Sequence, residues 1–89
     1  MSHDDIQNKL HRSVKVFDLP QDYKLDEIIA IFKNGGEITE TKTGLNEVII
    51  TFIDKNAKEL ASMYDGCLVA DRYTMKLRDA DSFDVKTAT

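Results

Sequence analysis

The sequence predicts one α+β domain, in which a four-stranded antiparallel sheet packs two helices against one of its faces. The first observation is the order of hydrophobic patterns along the chain, which runs strand, helix, strand, strand, helix, strand. The second is the length of 89 residues. A chain of this size buries only about 60% of its unfolded surface, so it supports a single hydrophobic core.

The first strand is predicted at Val14 to Leu19, where apolar and polar residues nearly alternate. Pro20 ends it, because proline has no N–H to donate to a sheet. Asn34-Gly35-Gly36 predicts the end of the helix that follows, since these residue types tolerate positive φ. Four apolar residues mark the buried face of that helix at the spacing i, i+3, i+4 and i+7: Leu25, Ile28, Ile29 and Phe32.

The second and third strands differ in character. Ile38 to Lys42 is polar and rich in threonine, which favours an exposed edge strand. Leu45 to Phe52 holds the most apolar and β-branched run of the chain, which favours a central strand. The residues Thr43 to Asn46 provide a turn around Gly44. We therefore expect a hairpin with one exposed and one buried strand.

Asp54 is placed to cap the second helix, and Asp65-Gly66 to end it. Tyr73 to Arg78 alternates again and is predicted as the last strand. The core face of the second helix is predicted to comprise Ala57, Leu60, Ala61 and Tyr64. Six elements in this order usually fold as a ferredoxin-like βαββαβ sandwich, which leaves one sheet face free for function.

The predicted organisation is an N-terminal tail at residues 1–12, a domain at residues 13–80 and a C-terminal tail at residues 81–89. Within the first tail, Ile6 and Leu10 are spaced i, i+4. That spacing fits either a short amphipathic turn that docks on the domain or a frayed terminus.

Composition excludes several classes of function. The 16 acidic and 12 basic residues give a net charge of −4, which argues against strong non-specific binding of nucleic acid. The chain shows neither a membrane-spanning run nor a secretory signal, so we expect an intracellular protein, nuclear or cytoplasmic. Cys67 stands alone, and no phosphate-cradling loop, nucleophile with a base, or metal-ligand cluster is found. We expect no enzyme, no cofactor and no metal.

Over Ser13 to about Ala80 the chain resembles the RNA recognition motif (RRM) family. Val14 to Leu19 is similar to the six-residue motif of that family, and Leu45 to Phe52 is similar to its eight-residue motif. The helices and their exits also resemble those of the family: Ile28-Ile29-Ala30-Ile31-Phe32 with Gly36-Glu37-Ile38, and Ala57, Leu60, Ala61, Tyr64, Asp65 and Gly66. The resemblance implies the ferredoxin-like fold and a role in RNA metabolism.

The chain departs from the family where bases are usually bound. The family carries base-stacking aromatics at the second position of the shorter motif and at the third and fifth positions of the longer one. Here these positions hold Lys15, Glu47 and Ile49. Strand alternation independently places the same three residues, with Phe17 and Thr51, on the face away from the helices. The resemblance is therefore to an atypical RRM that lacks the usual stacking aromatics.

We predict a contact surface on this free face for single-stranded RNA or a protein partner. Phe17 could stack one base, or it could equally pack beneath a loop or the tail. Lys15 and Glu47 could instead form an ion pair across neighbouring strands of a solvated face. The predicted surface comprises Lys15, Phe17, Glu47, Ile49, Thr51, Lys76 and Arg78, with Lys42 and Arg72 as auxiliary cations.

Two functions follow from this surface. The first is a non-enzymatic RRM-type module of RNA metabolism that binds single-stranded RNA weakly or atypically through the sheet face and flanking loops. The second is an RRM-like protein interaction adaptor with little or no RNA binding. The acidic balance and the missing aromatics favour the second, and the family resemblance favours the first.

Overall fold

The computed structural model describes residues 3–33 and 36–81. The helices are α1 (His3–Leu10), α2 (Leu25–Phe32) and α3 (Lys55–Ser62). The strands are β1 (Ser13–Phe17), β2 (Ile38–Gly44), β3 (Glu47–Phe52), β4 (Leu68–Val69), β5 (Tyr73–Thr74) and β6 (Lys76–Asp79).

The main sheet has the strand order β2-β3-β1-β6, and each neighbouring pair is antiparallel. Helices α2 and α3 pack on one face, which we call the inner face, and the opposite face is the outer face. This is the predicted α+β sandwich of a four-stranded sheet with two helices on one side. Strands β4 and β5 form a separate small hairpin.

Alternation along the two central strands directs their apolar residues into the core. Val16, Val48 and Ile50 have no exposed surface, and they pack with buried residues of α2 and α3. The ring of Phe32 lies edge-on to that of Phe52, with centroids 5.7 Å apart. Since every second residue of β1 and β3 is used in this way, the intervening residues must lie on the outer face.

Helix α3 begins where the sequence predicts it, because the Asp54 side chain accepts a hydrogen bond from Ala57 N at 2.8 Å. Its predicted core face is wrong at Leu60, which is 50% exposed. The helix contacts the core through a narrow stripe of Ala57 and Ala61, spaced i, i+4, and Tyr64 in the turn after the helix packs against the same core. Leu60 lies to one side of that stripe.

The last predicted strand, Tyr73 to Arg78, is divided in two. Met75 N donates to Cys67 O at 2.7 Å, which keeps the first half of the segment with β4. The second half pairs with β1, where Val16 lies opposite Leu77. Changing partners at Met75 lets this side chain enter the core, where it has no exposed surface.

The N-terminal segment docks on the domain through α1, as one of the two alternatives predicted. Ser13 Oγ donates to Lys9 O at 2.6 Å, and the Arg12 guanidinium donates to Phe52 O at 2.8 Å. Lys9 also pairs with Glu40 at 2.8 Å. These contacts fix the end of α1 against the strands.

Some sequence predictions concern residues outside the described ranges. Asn34 and Gly35 lie there, although α2 does end at Phe32, just before them. Residues 82–89 of the predicted C-terminal tail also lie there, and the boundaries at residues 13 and 80 stay predictions. Across the part of the chain that is described, no helix is long and apolar enough to cross a membrane.

Candidate nucleic-acid interface

The outer face carries the residues that strand alternation assigned to it. One row runs across all four strands in register and consists of Lys42, Ile49, Lys15 and Arg78. On one side of this row, Phe17 lies opposite Lys76, with Glu47 on the neighbouring strand. On the other side, Ser13 lies opposite Thr51. The row divides the face into two halves with different surroundings.

The half near Thr51 is covered by the protein itself. Ile49 is only 8% exposed, because Leu10 at the end of α1 and Ala80 after β6 pack on it. Thr51 is 5% exposed, and its hydroxyl lies 2.8 Å from that of Ser13. The expectation that Ile49 and Thr51 form an accessible contact surface is therefore wrong. Leu10, one of the two apolar residues noted in the N-terminal segment, was the sequence signal of this cover.

Lys15 and Glu47 form the cross-strand ion pair that the sequence left open. Lys15 Nζ lies 2.8 Å from Glu47 Oε2, and the two side chains are 13% and 38% exposed. A pair of this kind contributes only a few tenths of a kcal/mol to stability. It does restrict both side chains, and it offers no flat surface on which a base could stack.

In the other half, Phe17 is half-buried and Lys76 and Arg78 are exposed with respect to the described residues, and we call these three residues the Phe17 patch. The Arg78 guanidinium lies 5.7 Å from the centre of the Phe17 ring, within the range of a cation–π contact. Lys76 Nζ lies 2.6 Å from Asp18 Oδ2. Within residues 3–33 and 36–81, no carboxylate lies at ion-pair distance from Arg78. Its planar guanidinium can therefore stack on a base or donate to a phosphate.

The two auxiliary cations lie in different places. Lys42 is on the outer face at the sheet edge, opposite Ile49. Arg72 lies instead against the helix layer, where its guanidinium contacts Asp22 at 3.3 Å and Glu27 at 2.6 Å. It holds the β4–β5 hairpin near α2, and the predicted contribution of Arg72 to the sheet face is not supported by its position.

Titration and metal chemistry give no further site in the described part of the chain. Burial is the main cause of a raised pKa at the Tyr73 hydroxyl, and the charge of Glu27 raises that pKa further. Among the described residues, no group of three or more His, Cys, Asp and Glu side chains could hold a metal ion. Cys67 is half-buried and has a free thiol.

The sheet order and the two helices on its inner face match solved RRM structures. The structure of the RNA15 RRM superposes with a TM-score of 0.71 at 18% identity, covering 83% of this chain and 94% of that one. The chain has the RRM fold. The Nab3 RRM gives a TM-score of 0.69 at 14% identity, covering 80% of this chain and 96% of that one. No family model matches the sequence, and no curated protein matches it.

Lys15, Glu47 and Ile49 are the residues at which the sequence departs from the RRM family, and the structure shows what each of them contacts. The positions that resemble base-stacking positions of that family are each engaged within the chain. Lys15 pairs with Glu47, and Ile49 packs under Leu10. Among the described strand residues, the aromatic side chain on the outer face is Phe17, at the end of β1.

Proposed function

We propose that this chain is a non-enzymatic RRM-type module of RNA metabolism that binds single-stranded RNA weakly through the Phe17 patch. The observation that carries the proposal is the Arg78 guanidinium over the Phe17 ring, at the open end of the outer face. An aromatic ring beside a guanidinium is the combination that proteins use to stack unpaired bases and contact phosphates. The Nab3 RRM, one of the similar structures, is described as recognising cis elements of non-polyadenylated RNAs.

The affinity should be low because the described strands place one aromatic side chain, Phe17, on the outer face. Stacking one base on an aromatic contributes about 1 to 3 kcal/mol of binding free energy. A surface with three aromatics gains this contribution three times. Asp18 and Glu47 lie beside the patch and repel phosphate, and the net charge is −4. Binding should therefore be weak, and because it should contact only one or two nucleotides, it should depend only modestly on salt.

An NMR titration of the 15N-labelled protein with short single-stranded RNAs tests this proposal. Shift changes are expected at Phe17, Lys76 and Arg78 and not at the buried Thr51. Phe17→Leu keeps an apolar side chain but removes the aromatic ring, so binding should fall by at least about fivefold. The absence of shifts at millimolar RNA, or shifts confined to other surfaces, would exclude binding through the Phe17 patch.

A matched pair of lysine variants separates the local contact from the effect of net charge. Lys76→Gln removes a cation from the patch, whereas Lys55→Gln removes one from α3, where the side chain is 71% exposed. Both substitutions change the net charge equally. Only Lys76→Gln should weaken RNA binding, and equal effects of the two variants would show that the contact is not localised.

The adaptor function is the second candidate, and an exposed apolar pair on α3 and its C-cap favours it. Leu60 is 50% exposed and Met63 is 79% exposed, three residues apart at the end of this helix. An adaptor that uses this surface should lose its protein partner when Leu60→Glu or Met63→Glu is introduced. The same partner should still bind Phe17→Leu, which would separate the adaptor from the RNA-binding module.

A further inference from the structure

We propose that strand β2 is a self-complementary edge, along which two copies of this chain pair antiparallel into one continuous sheet. This association is independent of RNA binding, because it uses the edge of the sheet and not the Phe17 patch. The proposal rests on the difference between the two sheet edges, on the direction of the backbone groups of β2, and on its sequence.

The two edge strands, β6 and β2, differ in length and in whether another group bonds to their outer side. The outer edge of β6 is short, and its Leu77 N–H donates to Asp65 Oδ1 at 2.9 Å, so a side chain already satisfies it. Strand β2 is seven residues long, and in residues 3–33 and 36–81 no strand pairs with its outer side. An edge with unpaired N–H and C=O groups is a template for another strand.

The hydrogen-bond alternation identifies the backbone groups that face this edge. Phe52 N donates to Arg12 O at 2.8 Å, so every second residue of β3 from Phe52 bonds to β1. The intervening residues of β3 bond to β2, where their partners are Glu40, Lys42 and Gly44. Thr41 and Thr43, which alternate with these partners, therefore direct their backbone groups away from β3 and toward the open edge.

The sequence of β2 complements itself about a two-fold axis at Thr41. Antiparallel pairing at this axis places Thr41 opposite Thr41 of the second copy, with both backbone groups available for the two hydrogen bonds. Glu40 then lies opposite Lys42 of the second copy, and Lys42 lies opposite the second Glu40. Both side chains belong to the outer face, since their partners in β3 are Thr51 and Ile49. Opposite charges that face each other across strands stabilise pairing.

The side chains around the edge leave room for a second strand. Between α2 and β2 lies a groove of about 710 Å³, whose lining includes Ile29, Lys33, Ile38 and Thr41. Glu40 already contacts Lys9, yet its side chain remains 43% exposed. The contact is small, and a bulge between Ile38 and Glu40 shortens it further, so the pair should be weak and depend on concentration. Because the contact is isologous, each copy uses its β2 edge for one partner, so this pairing should stop at the dimer.

Sedimentation of the full chain at increasing concentration measures the fraction of dimer and tests the proposal. Two charge variants should each dimerise poorly alone but should associate with each other when mixed. Lys42→Glu places like charges opposite each other at both symmetric contacts, so the dimer should weaken by at least about tenfold. Glu40→Lys should also weaken it, although this change removes the Lys9 contact as well. In an equimolar mixture of E40K and K42E every cross-strand pair again joins a cation and an anion, so a heterodimer should form.

Two further variants separate edge pairing from other association. Thr41→Pro removes an N–H that does not serve β3, so it should abolish the dimer while far-UV circular dichroism stays unchanged. Glu59→Lys is the control for Glu40→Lys. It makes the same change of charge on α3, where the side chain is 62% exposed, and it should leave the dimer intact. A chain that is monomeric at the millimolar concentration of an NMR sample would overturn the proposal. So would a mixture that associates no better than its components, or a T41P variant that dimerises normally.

Discussion

The buried hydroxyl pair of Ser13 and Thr51 allows a prediction that separates a structural role from a binding role. Thr51 was predicted from the sequence as part of the contact surface, but it is 5% exposed and Ser13 has no exposed surface. Ser13 Oγ donates its one proton to Lys9 O at 2.6 Å. The 2.8 Å contact between the hydroxyls must therefore be a hydrogen bond from Thr51 to Ser13.

This direction of the hydrogen bond predicts the order of three variants in their free energy of unfolding. Ser13→Ala leaves the Thr51 hydroxyl buried with no acceptor, which should cost about 1 to 3 kcal/mol of the free energy of unfolding. Lys9 O also loses the hydrogen bond from Ser13 in this variant, but it keeps the one from Arg12 N at 3.0 Å. The cost at this carbonyl is therefore smaller than the cost at the Thr51 hydroxyl. Thr51→Val removes the donor at nearly the same volume and should cost about 1 kcal/mol. The double variant contains neither hydroxyl, so it should be at least as stable as Ser13→Ala alone.

Urea unfolding followed by far-UV circular dichroism measures these free energies, and equal slopes would show that the same surface unfolds in each variant. The coupling between the two substitutions should be about 1 kcal/mol or more. Strictly additive losses would refute the assigned hydrogen bond. In the RNA titration, Thr51→Val should leave the shifts at Phe17 unchanged; loss of RNA binding without loss of stability would restore Thr51 to the binding surface.

Two further variants test the packing of the inner layer. The Tyr73 hydroxyl is buried with no hydrogen-bond partner in the described ranges, and its pKa is raised, so the folded state holds this proton more tightly and stability should fall as the pH rises above about 10. Tyr73→Phe should lack that fall and should be at least as stable at neutral pH, as thermal unfolding would show. A Cβ at Gly36 would collide with Ala57 Cβ and lie 3.1 Å from its Cα, so Gly36→Ala should cost about 1 to 3 kcal/mol. Ala57→Gly should recover part of this loss in the double variant, and losses that simply add would exclude the collision.

The fold was predictable because its signals are local and periodic. The alternation around Val16 and Ile50 identifies the inner face of the sheet without knowledge of the helices. Asp54 marks the start of α3 through its side-chain chemistry, whereas the helix ends at Ser62, before the predicted Asp65-Gly66. Each of these residues acts on neighbours a few positions away, which is the range over which a sequence pattern carries information.

The covered half of the outer face was not predictable for the opposite reason. Leu10 packs on Ile49, and Ala80 joins them, although these residues are far apart along the chain. No period connects the three positions, and the i, i+4 spacing near the N-terminus also fits a frayed segment. The division of the last strand at Met75 likewise depends on a contact with Cys67, which no alternation within the strand reveals.

The three replaced positions are better understood together than one at a time. Leu10 packs on the apolar side chain of Ile49, and this contact holds the end of α1 on the sheet. Lys15, beside Ile49 in the same row, is only 13% exposed, and its ammonium group is compensated by Glu47. An aromatic at Lys15 or at Glu47 would remove this ion pair from a partly covered face. These three residues therefore form one connected set of internal contacts, and the RNA contact that we propose is limited to the Phe17 patch.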